Sequence, residues 1–553
     1  MAWYPRPMRK IVVGLLAALC VGLWIEADAQ ERQEKINLAV AHRIRDEAFG
    51  RKSKVMDIAF QLTDVHGPRL TFSPAARRAG EWAVSQMKEW GLANARLEPW
   101  GPMGRGWQCT RFVAMMKTPE FQPIIGFAQP WTPGTNGDVT GEAVLAVING
   151  PEDLDKWKGK LKGKIVLAAA ERPTEMITQP LSVRLTDQEL REAAEAPDPS
   201  TGNPAILPLG FSRLRPAAPA GGRGAAGAGR GGRGGAYAFR SQLNKFLKDE
   251  GVLVVLTPGS GPGGGTIMGQ GTLPRDPMAE LPPPSVVVTP EHYNRIARLV
   301  AKNVPVTLEF DIKAELLEPT ESFNVVGEIP GTSPDAGLVM LGGHFDSWTG
   351  GTGATDNAAG SAVAMEAMRI LKTLDLKMPR TVRAALWTGE EEGELGSRAY
   401  VKEHFADPAD MKTKPEYAKL SAYYNLDNGS GRIRGVYMQD NDEVRPIFQA
   451  WLAPFRDLEA STLTIRNTGS TDHMAFDAVG LPGFQFIQDP LEYGTRTHHS
   501  NMDVYDELQA NDLEQASAIM AWFVYNTATR PDMMPRKPMP KAGEGGRGGR
   551  AGE

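Results

Sequence analysis

The feature that most restricts the fold is an alternation of strand-like and helix-like segments between about residues 320 and 530. Short apolar runs such as GLVMLGGHFDS (337–347) and RTVRAALWT (380–388) are typical of buried strands. Longer runs with helical spacing of apolar residues, AAGSAVAMEAMRILKTL (358–374) and DLEQASAIMAWFVYNTA (512–528), lie between or after them. This alternation predicts an α/β fold with a mostly parallel, mixed sheet flanked by helices.

Residues of metal-ligand type recur where the predicted strands end, or in the loops beyond them. Open α/β sheets bind ligands beyond the carboxyl ends of their strands, so such residues are expected to meet at one edge of the sheet. They are His344 and Asp346, Asp356, Glu390 and Glu391, Asp427, and His498 and His499. Because successive segments all supply such residues, the sequence indicates a metal site.

Spacing suggests what some of these residues do. Positions two apart on a strand share a face, so the Asp346 carboxylate can reach the His344 ring and fix its tautomer, unless the two form a surface pair. The glycine-rich GGTGATDN (350–357) lacks the Lys-Ser/Thr of a phosphate loop. It can bring Asp356 close to other ligands, although capping of the next helix is the alternative for that residue.

The stretch TGEEEGELG (388–396) places three adjacent glutamates directly after a predicted strand. Neighbouring residues at a strand end point in different directions, so one carboxylate can ligate a metal while another accepts a proton from water. A metal would also relieve the repulsion between the carboxylates. We expect the third, Glu392, to be solvated, and an exposed acidic turn is the alternative for the whole stretch.

Further regions surround or interrupt this core. We assign 30–130 to the N-terminal part and 315–532 to the C-terminal part of one domain. Between them, 131–314 reads as an inserted β-rich domain, because short apolar strands alternate with Gly and Lys turns. The low-complexity stretch RPAAPAGGRGAAGAGRGGRGG (215–235) is predicted to be a disordered loop within it, and 533–553 a disordered tail.

The N-terminus has the organisation of an export signal. Basic residues precede an apolar run (11–25) and a small-x-small cleavage site, so 1–29 is predicted to be a signal peptide, with an uncleaved anchor as the alternative. Cleavage would leave Cys109 as the only cysteine, and an exported chain without a disulfide indicates a periplasmic or extracellular location. The net charge of −5 predicts no nucleic-acid partner, and we expect no membrane span after cleavage.

The motifs HFDSW, GATDNAAG, LWTGEEEGELGSRAY, NLD and HHSNMD occur in an order that resembles the di-zinc exopeptidases of metallopeptidase family twenty-eight. The resemblance covers about 320–530 and, more weakly, 45–100. The block 137–314 resembles the protease-associated domain inserted in many members. The resemblance implies the zinc-exopeptidase fold, two zinc ions per chain, and hydrolysis of peptide substrates through a metal-bridging water. Aminopeptidase is the first expectation and a carboxypeptidase Q-like carboxypeptidase or dipeptidase the second, with the oligomeric state left open.

The resemblance also implies roles for the motif residues. The ligands of one zinc would be His344, Asp356 and Asp427, and those of the other Asp356, Glu391 and His499. The family pattern Glu-Glu-x-Gly-x-x-Gly-Ser makes Glu390 the general base, and Asp346 supports catalysis beside the first histidine ligand. His498 stands where many relatives have Tyr, and His473 lies in GSTDHMAF. We expect both to contact substrate, with a satisfied structural histidine as the alternative for His473.

Other classes of protein fit parts of the pattern. A glutaminyl-cyclase-like acyltransferase shares the fold but uses one zinc, whereas the paired glutamates and the last histidine favour two. A catalytically inactive binding ectodomain would be expected to lack ligands that this chain retains. Within the peptidases, an aminopeptidase needs an acidic or hydrogen-bonding grip on an ammonium group, and a carboxypeptidase needs a cation. The candidate cations are Arg432, Arg434, Arg466 and Arg496.

Overall fold

A computed structural model describes residues 34–174, 176–197, 208–210, 232–269, 280–333 and 335–542. The predicted signal peptide, most of the Gly/Arg-rich stretch and the last residues of the predicted tail lie outside this described part. Among the described residues, no helix combines the length and apolar character needed to cross a bilayer.

Helices and strands are numbered here in chain order. The helices are α1 Leu38–Ala48, α2 Val55–Phe60, α3 Pro74–Glu89, α4 Pro151–Trp157, α5 Asp187–Ala194, α6 Gly232–Asp249, α7 Pro290–Ala301, α8 Ala359–Thr373, α9 Leu395–His404, α10 Arg445–Leu452, α11 His473–Asp477 and α12 Ala510–Thr529. The strands are β1 Ala93–Thr118, β2 Gln122–Pro123, β3 Gly126–Ala128, β4 Val139–Leu145, β5 Lys164–Leu167, β6 Val254–Pro258, β7 Ser285–Val288, β8 Thr307–Ile329, β9 Leu338–His344, β10 Thr381–Trp387, β11 Leu420–Asn425, β12 Ile433–Tyr437, β13 Thr462–Thr464 and β14 Gly483–Gln488.

Local sequence signals account for where several helices begin and how they pack. The Ser73 side chain accepts a hydrogen bond from the Ala76 N–H at the start of α3, and Pro74 occupies the first turn. Thr186 and Glu189 form a reciprocal capping box at the start of α5. Helix α8 is buried on all sides from Ala359 to Leu371, because its small residues let it lie between the sheet, α2 and α12.

The strands form one continuous sheet whose order is β13-β12-β14-β11-β9-β10-β8-β4-β5-β6-β7-β3. Strands β10, β9, β11 and β14 are parallel neighbours, and so are β4, β5, β6 and β7. Strands β3, β8 and β12 introduce antiparallel pairs. The predicted α/β fold with a mostly parallel, mixed sheet flanked by helices is therefore confirmed.

The long strand β8 joins the two parts of the molecule. Near its start it pairs with β4 of the insert, near its end it pairs with β10, and β1 follows it along most of its length. Each part has its own core, a large one around α8 and α12 and a smaller one around β4–β7. The insert contains α4–α7 beside its strands, so it is a mixed α/β region rather than a β-rich one. Parallel strand pairs need crossover connections, and α4 lies in the one between β4 and β5 while α5 and α6 lie in the one between β5 and β6.

Two segments predicted to be disordered are in part helical or packed against the rest of the chain. Helix α6 begins at Gly232, inside the Gly/Arg-rich stretch, because the amphipathic sequence that follows extends it toward the N-terminus. Beyond residue 532, the buried Met534 donates its N–H to Ser421, and Arg536 donates to the Leu420 carbonyl. The chain thus remains packed against the start of β11 past the boundary predicted for the tail.

Candidate metal centre

Three adjacent parallel strands bring the first set of predicted ligands to one edge of the sheet. His344 ends β9 and is paired in register with Trp387 at the end of β10. The loop after β10 therefore brings Glu390 and Glu391 to the level of this histidine. Strand β11 pairs with the other side of β9 and ends two residues before Asp427.

His344 lies between two carboxylates. Its Nε2 atom is 3.1 Å from Asp356 Oδ1 and 3.3 Å from Asp427 Oδ1. All three side chains are buried, with at most 6% of their surface exposed. The predicted ligands of one metal thus converge in the structure.

The second predicted set meets on the other side of Asp356. His499 Nε2 lies 2.9 Å from Glu391 Oε2 and 3.3 Å from Asp356 Oδ2. One oxygen of Asp356 therefore faces His344 and the other faces His499, as a carboxylate that bridges two ions must do.

The donor set fits divalent metal. His344, Asp356 and Glu391 offer ligand atoms that all lie within 4.8 Å of one another. Among the described residues, Asp356 Oδ2, Glu391 Oε1 and Asp427 Oδ1 are buried without a hydrogen-bond donor. Buried carboxylate oxygens rarely stay unsatisfied, and mixed imidazole and carboxylate ligands are typical of catalytic zinc sites.

The electrostatics of the glutamates lead to the same conclusion. Burial raises the pKa of Glu391 well above its ordinary value of 4.5, and the Asp356 carboxylate raises it further. Burial also raises the pKa of Glu390 well above its ordinary value; His344 opposes this shift, and the Asp427 and Asp472 carboxylates add to it. Such crowding of negative charge is unfavourable unless a cation compensates it.

Asp346 supports His344 differently from the prediction. The His344 Nδ1 atom is 3.0 Å from the backbone carbonyl oxygen of Asp346 but 3.6 Å from its carboxylate, so the carbonyl is the nearer acceptor. The carboxylate instead accepts hydrogen bonds from the Thr71 hydroxyl at 2.7 Å and from the Glu390 N–H at 3.4 Å. Alternation along a strand predicted the shared side but not the competing partners.

The two substrate-contact candidates lie in different environments. His498 is partly exposed, stacks on His499 with a centroid separation of 3.6 Å, and has Nε2 3.9 Å from Asp356 Oδ2. His473 is fully buried, and its Nε2 donates to the Thr468 carbonyl at 3.0 Å. Burial lowers the pKa of His473 to about 4. This burial favours the structural alternative for His473, and substrate contact by its ring stays a prediction.

Comparison with known proteins identifies the domain that contains this centre. A family model described as Peptidase family M28 matches residues 324–524. This chain contains a peptidase family M28 domain. The M28 domain includes all five predicted metal ligands, which were selected from motifs of the same family.

Individual relatives and solved structures show which known proteins this chain resembles. Carboxypeptidase Q of Mus musculus is 28% identical over 253 residues, covering 46% of this chain and 52% of that protein. Aminopeptidase YwaD of Bacillus subtilis is 24% identical over 229 residues, covering 40% of this chain and 48% of that protein. The chain thus spans about half the length of the curated relatives it matches.

A peptidase M28 precursor from Shewanella amazonensis shares the fold with a TM-score of 0.61 and 22% identity, covering 91% of this chain and 98% of that one. A zinc aminopeptidase from Bacillus subtilis does so with a TM-score of 0.51 and 17% identity, covering 87% and 97%.

The sequence did not point to several residues that surround the candidate metal centre. The Tyr493 hydroxyl donates to Asp356 Oδ1 at 3.0 Å, and nothing in the spacing of Tyr493 marked it. Asp472 is fully buried near Glu390, and burial raises its pKa well above the ordinary value. Its position directly before His473 was the available signal. Glu392, expected to be solvated, has both carboxylate oxygens buried.

Two segments of the insert contact the loop that contains His498 and His499, residues 489–503, which we call the histidine loop. The strap, residues 181–185, bonds one side through Val183 N–H to the Leu491 carbonyl at 3.1 Å. The hairpin, residues 260–269, bonds the other side through Gly269 N–H to the His499 carbonyl at 3.0 Å. The insert therefore helps to place one end of the metal centre.

Proposed function

We propose that this chain is a zinc-dependent metallo-exopeptidase that hydrolyses peptide bonds, with aminopeptidase as the preferred class. The observation that supports it most is Asp356, whose two oxygens face His344 and His499 inside an M28 domain. Under this proposal His344, Asp356 and Asp427 would hold one zinc ion. Asp356, Glu391 and His499 would hold the second.

Two bound zinc ions would supply Lewis acidity, polarising the scissile carbonyl and lowering the pKa of a water molecule. The protein supplies the proton acceptor. Glu390 precedes the ligand Glu391, and its backbone N–H is held by Asp346 at 3.4 Å. Its carboxylate takes the proton from the attacking water and passes it to the leaving amine, as a general base and then a general acid.

Charge favours an ammonium group over a carboxylate as the recognised end of the substrate. Arg432 and Arg434 are paired with Asp512 and Asp489, and Arg496 is paired with Glu492 and Glu507. These arginines are therefore neutralised by structural carboxylates. Glu392 and Asp472, which are not proposed ligands, bring further buried carboxyl oxygens close to Glu390. An excess of carboxylates stabilises a cationic substrate end.

A carboxypeptidase Q-like activity is the second candidate. Carboxypeptidase Q proteins from several vertebrates match 253 residues of this chain at 26 to 28% identity. Arg466, the fourth candidate cation, makes no ion pair with another described residue, so its charge remains available for a terminal carboxylate.

The decisive experiment is Glu390→Gln, with the exposed Glu403→Gln as the matched control. We expect Glu390→Gln to retain two zinc ions by mass spectrometry but to lose about 10²- to 10⁴-fold in kcat, since it removes the general base. Glu403, which pairs with Lys414 on the surface, should be dispensable. Near-normal peptidase activity in metal-loaded Glu390→Gln would refute the assignment.

The substrate class needs a separate panel. An aminopeptidase cleaves a chromogenic amino acid with a free amine and ignores an N-blocked peptide with a free C-terminus. A carboxypeptidase shows the reverse, and a dipeptidase prefers the unblocked dipeptide. Pyroglutamate formation, assayed alongside, would instead point to the acyltransferase class, and zinc binding without turnover to a binding ectodomain.

We also propose that the chain is exported and that the insert is a protease-associated domain. The basic and apolar segments of residues 1–29 support export. N-terminal sequencing of the protein from a bacterial periplasm or culture medium should begin after Ala29. Recovery of the intact N-terminus in the membrane fraction would favour the anchor instead.

A further inference from the structure

The segment Gly67–Thr71 contacts the loops of the candidate metal centre, although more than 270 residues separate it from the proposed ligands in the sequence. Thr71 is fully buried. Its hydroxyl donates to Asp346 Oδ2 at 2.7 Å and accepts the Gly389 N–H at 2.9 Å. One oxygen atom therefore contacts two of the loops that contain the centre.

Those two loops leave the sheet at the point where the strand ladder stops. The last backbone bond between them runs from the Phe345 N–H to the Trp387 carbonyl. Beyond it, the Asp346 carboxylate and the Thr71 hydroxyl are the polar groups that join the His344 loop to Gly389 and Glu390. The separation of the two loops thus depends on side-chain contacts rather than on the ladder.

Arg69 holds this segment in place. Its buried guanidinium donates to the carbonyls of Phe345 at 2.7 Å and Gly353 at 2.8 Å, and also to those of Leu62 and Thr352. Its backbone N–H donates to the Ser347 hydroxyl at 3.1 Å. Thr71 is therefore attached to a backbone that is itself bonded to the loop between His344 and Asp356.

We propose that Thr71 is a positioning residue whose hydroxyl sets the separation between His344 and the Glu390–Glu391 pair. The proposal rests on the proposed function, because it assigns these residues to zinc and to the general base. A hydroxyl suits the position since it can donate and accept at the same atom. Valine would keep the shape but leave the Asp346 oxygen and the Gly389 N–H without this partner.

The test compares Thr71→Val, which removes the hydroxyl, with Thr71→Ser, which keeps it. Thr527→Val is the matched control, because Thr527 is also fully buried with a hydroxyl that makes two hydrogen bonds, to Tyr424 and the Phe523 carbonyl, on α12. Zinc affinity is measured by titration against a chromophoric chelator, and kcat and KM on the substrate cleaved by the wild type.

We expect Thr71→Val to lose about 10- to 100-fold in zinc affinity or kcat, the usual effect of removing a partner of a metal-site residue, with KM changed less than about threefold. Thr71→Ser should stay within about threefold of the wild type, and Thr527→Val should lose stability only. If Thr71→Val does not fold, Thr71→Ala takes its place with the same expectation.

The proposal is overturned if Thr71→Val binds zinc and turns over like the wild type. It is also overturned if Thr71→Ser is as impaired as Thr71→Val, because packing of the methyl group would then matter and not the hydroxyl. A wild type that binds zinc but cleaves no peptide would contradict the proposed function alone. The zinc titration of the variants would still decide the role of Thr71.

Discussion

His344, Glu391 and Asp427 lie at or just beyond the ends of adjacent parallel strands, whereas His498 and His499 lie on the histidine loop between β14 and α12. The first region is held by the backbone ladder of the sheet. The second has no strand at its histidines and is held by loop contacts, which come from the strap and the hairpin and also from Thr352 and Thr355. The comparison shows that the candidate ligands are held in place by two different means, and that the insert contributes to one of them.

The two regions also differ in packing. The strands that end at the first region are almost fully buried, including every residue of β9 and β11. Next to the histidine loop, a cavity of about 170 Å³ is lined by Ser182 and Arg184 of the strap and by Tyr493 and Thr497 of the loop. Fewer packed neighbours make a loop easier to displace, so contacts from the insert should matter more there.

Asp356→Asn should disrupt metal binding in both regions, because His344 and His499 each face one oxygen of Asp356. An amide binds zinc poorly and cannot bridge two ions. We expect zinc content below one ion per chain and a loss of about a thousandfold or more in kcat/KM. Mass spectrometry of the folded protein and hydrolysis assays check this. Full zinc occupancy in the variant would remove Asp356 from the bridging role.

Arg184→Met should affect the histidine loop alone. Arg184 joins the strap to Asp489 at 2.7 Å and to Asp512 at 2.8 Å, and Arg434 and Arg432 remain as partners for these acids. We expect a loss of about 1 to 2 kcal/mol in the free energy of unfolding. We also expect about a tenfold loss in kcat/KM as the loop shifts.

The control for Arg184 is Arg45→Met, which breaks an ion pair with Asp457 far from the metal centre. It should lose stability without losing activity. Denaturant unfolding and hydrolysis assays separate the two effects. Equal activity losses in both variants would show that the strap has no special role.

Asn501→Ala should have a smaller effect on the same loop. The Asn501 side chain accepts the Ile267 N–H at 2.7 Å and donates to the Gly265 carbonyl at 3.1 Å, which ties the hairpin to the loop. Backbone bonds at Gly269 and Asn501 persist in the variant. We expect about a threefold loss in kcat/KM and about 1 kcal/mol in stability. An unchanged kcat/KM would place the hairpin outside the function of the centre.

A pH-dependent contact lies at the end of α9, where His404 pairs with Glu98 and Glu416. Burial opposes charge on His404, but hydrogen bonds to Glu416 and Glu98 outweigh it and raise its pKa from 6.5 to about 9. The charged imidazole stabilises the fold fully below pH 6.5, and this contribution is lost as pH rises through about 9. We expect the free energy of unfolding to fall by about 2 kcal/mol over that range.

His404→Gln supplies the comparison for this prediction, since a neutral amide cannot lose a proton. Its unfolding free energy should change less between pH 6.5 and 9 than that of the wild type, as measured by urea denaturation. Parallel profiles for the two proteins would assign the pH dependence to other groups.

The sequence by itself determined the fold class and which strand ends carry the candidate ligands. Apolar runs at strand length, separated by helical patterns, can be buried only by a covered parallel sheet, and parallel strands bring their carboxyl ends to one edge. His344, Asp427 and the glutamates were therefore predictable from spacing, and the family motifs selected His499 over His498.

Only the tertiary structure decided what surrounds these residues. In the structure, His473 and the carboxylate oxygens of Glu392 are buried. The Asp346 carboxylate accepts hydrogen bonds from Thr71 and Glu390, and the Tyr493 hydroxyl donates to Asp356. Apart from the local bond between His473 and Thr468, these contacts join segments that are far apart in the chain. Periodicity reports which face of an element is buried, but not which distant segment covers it.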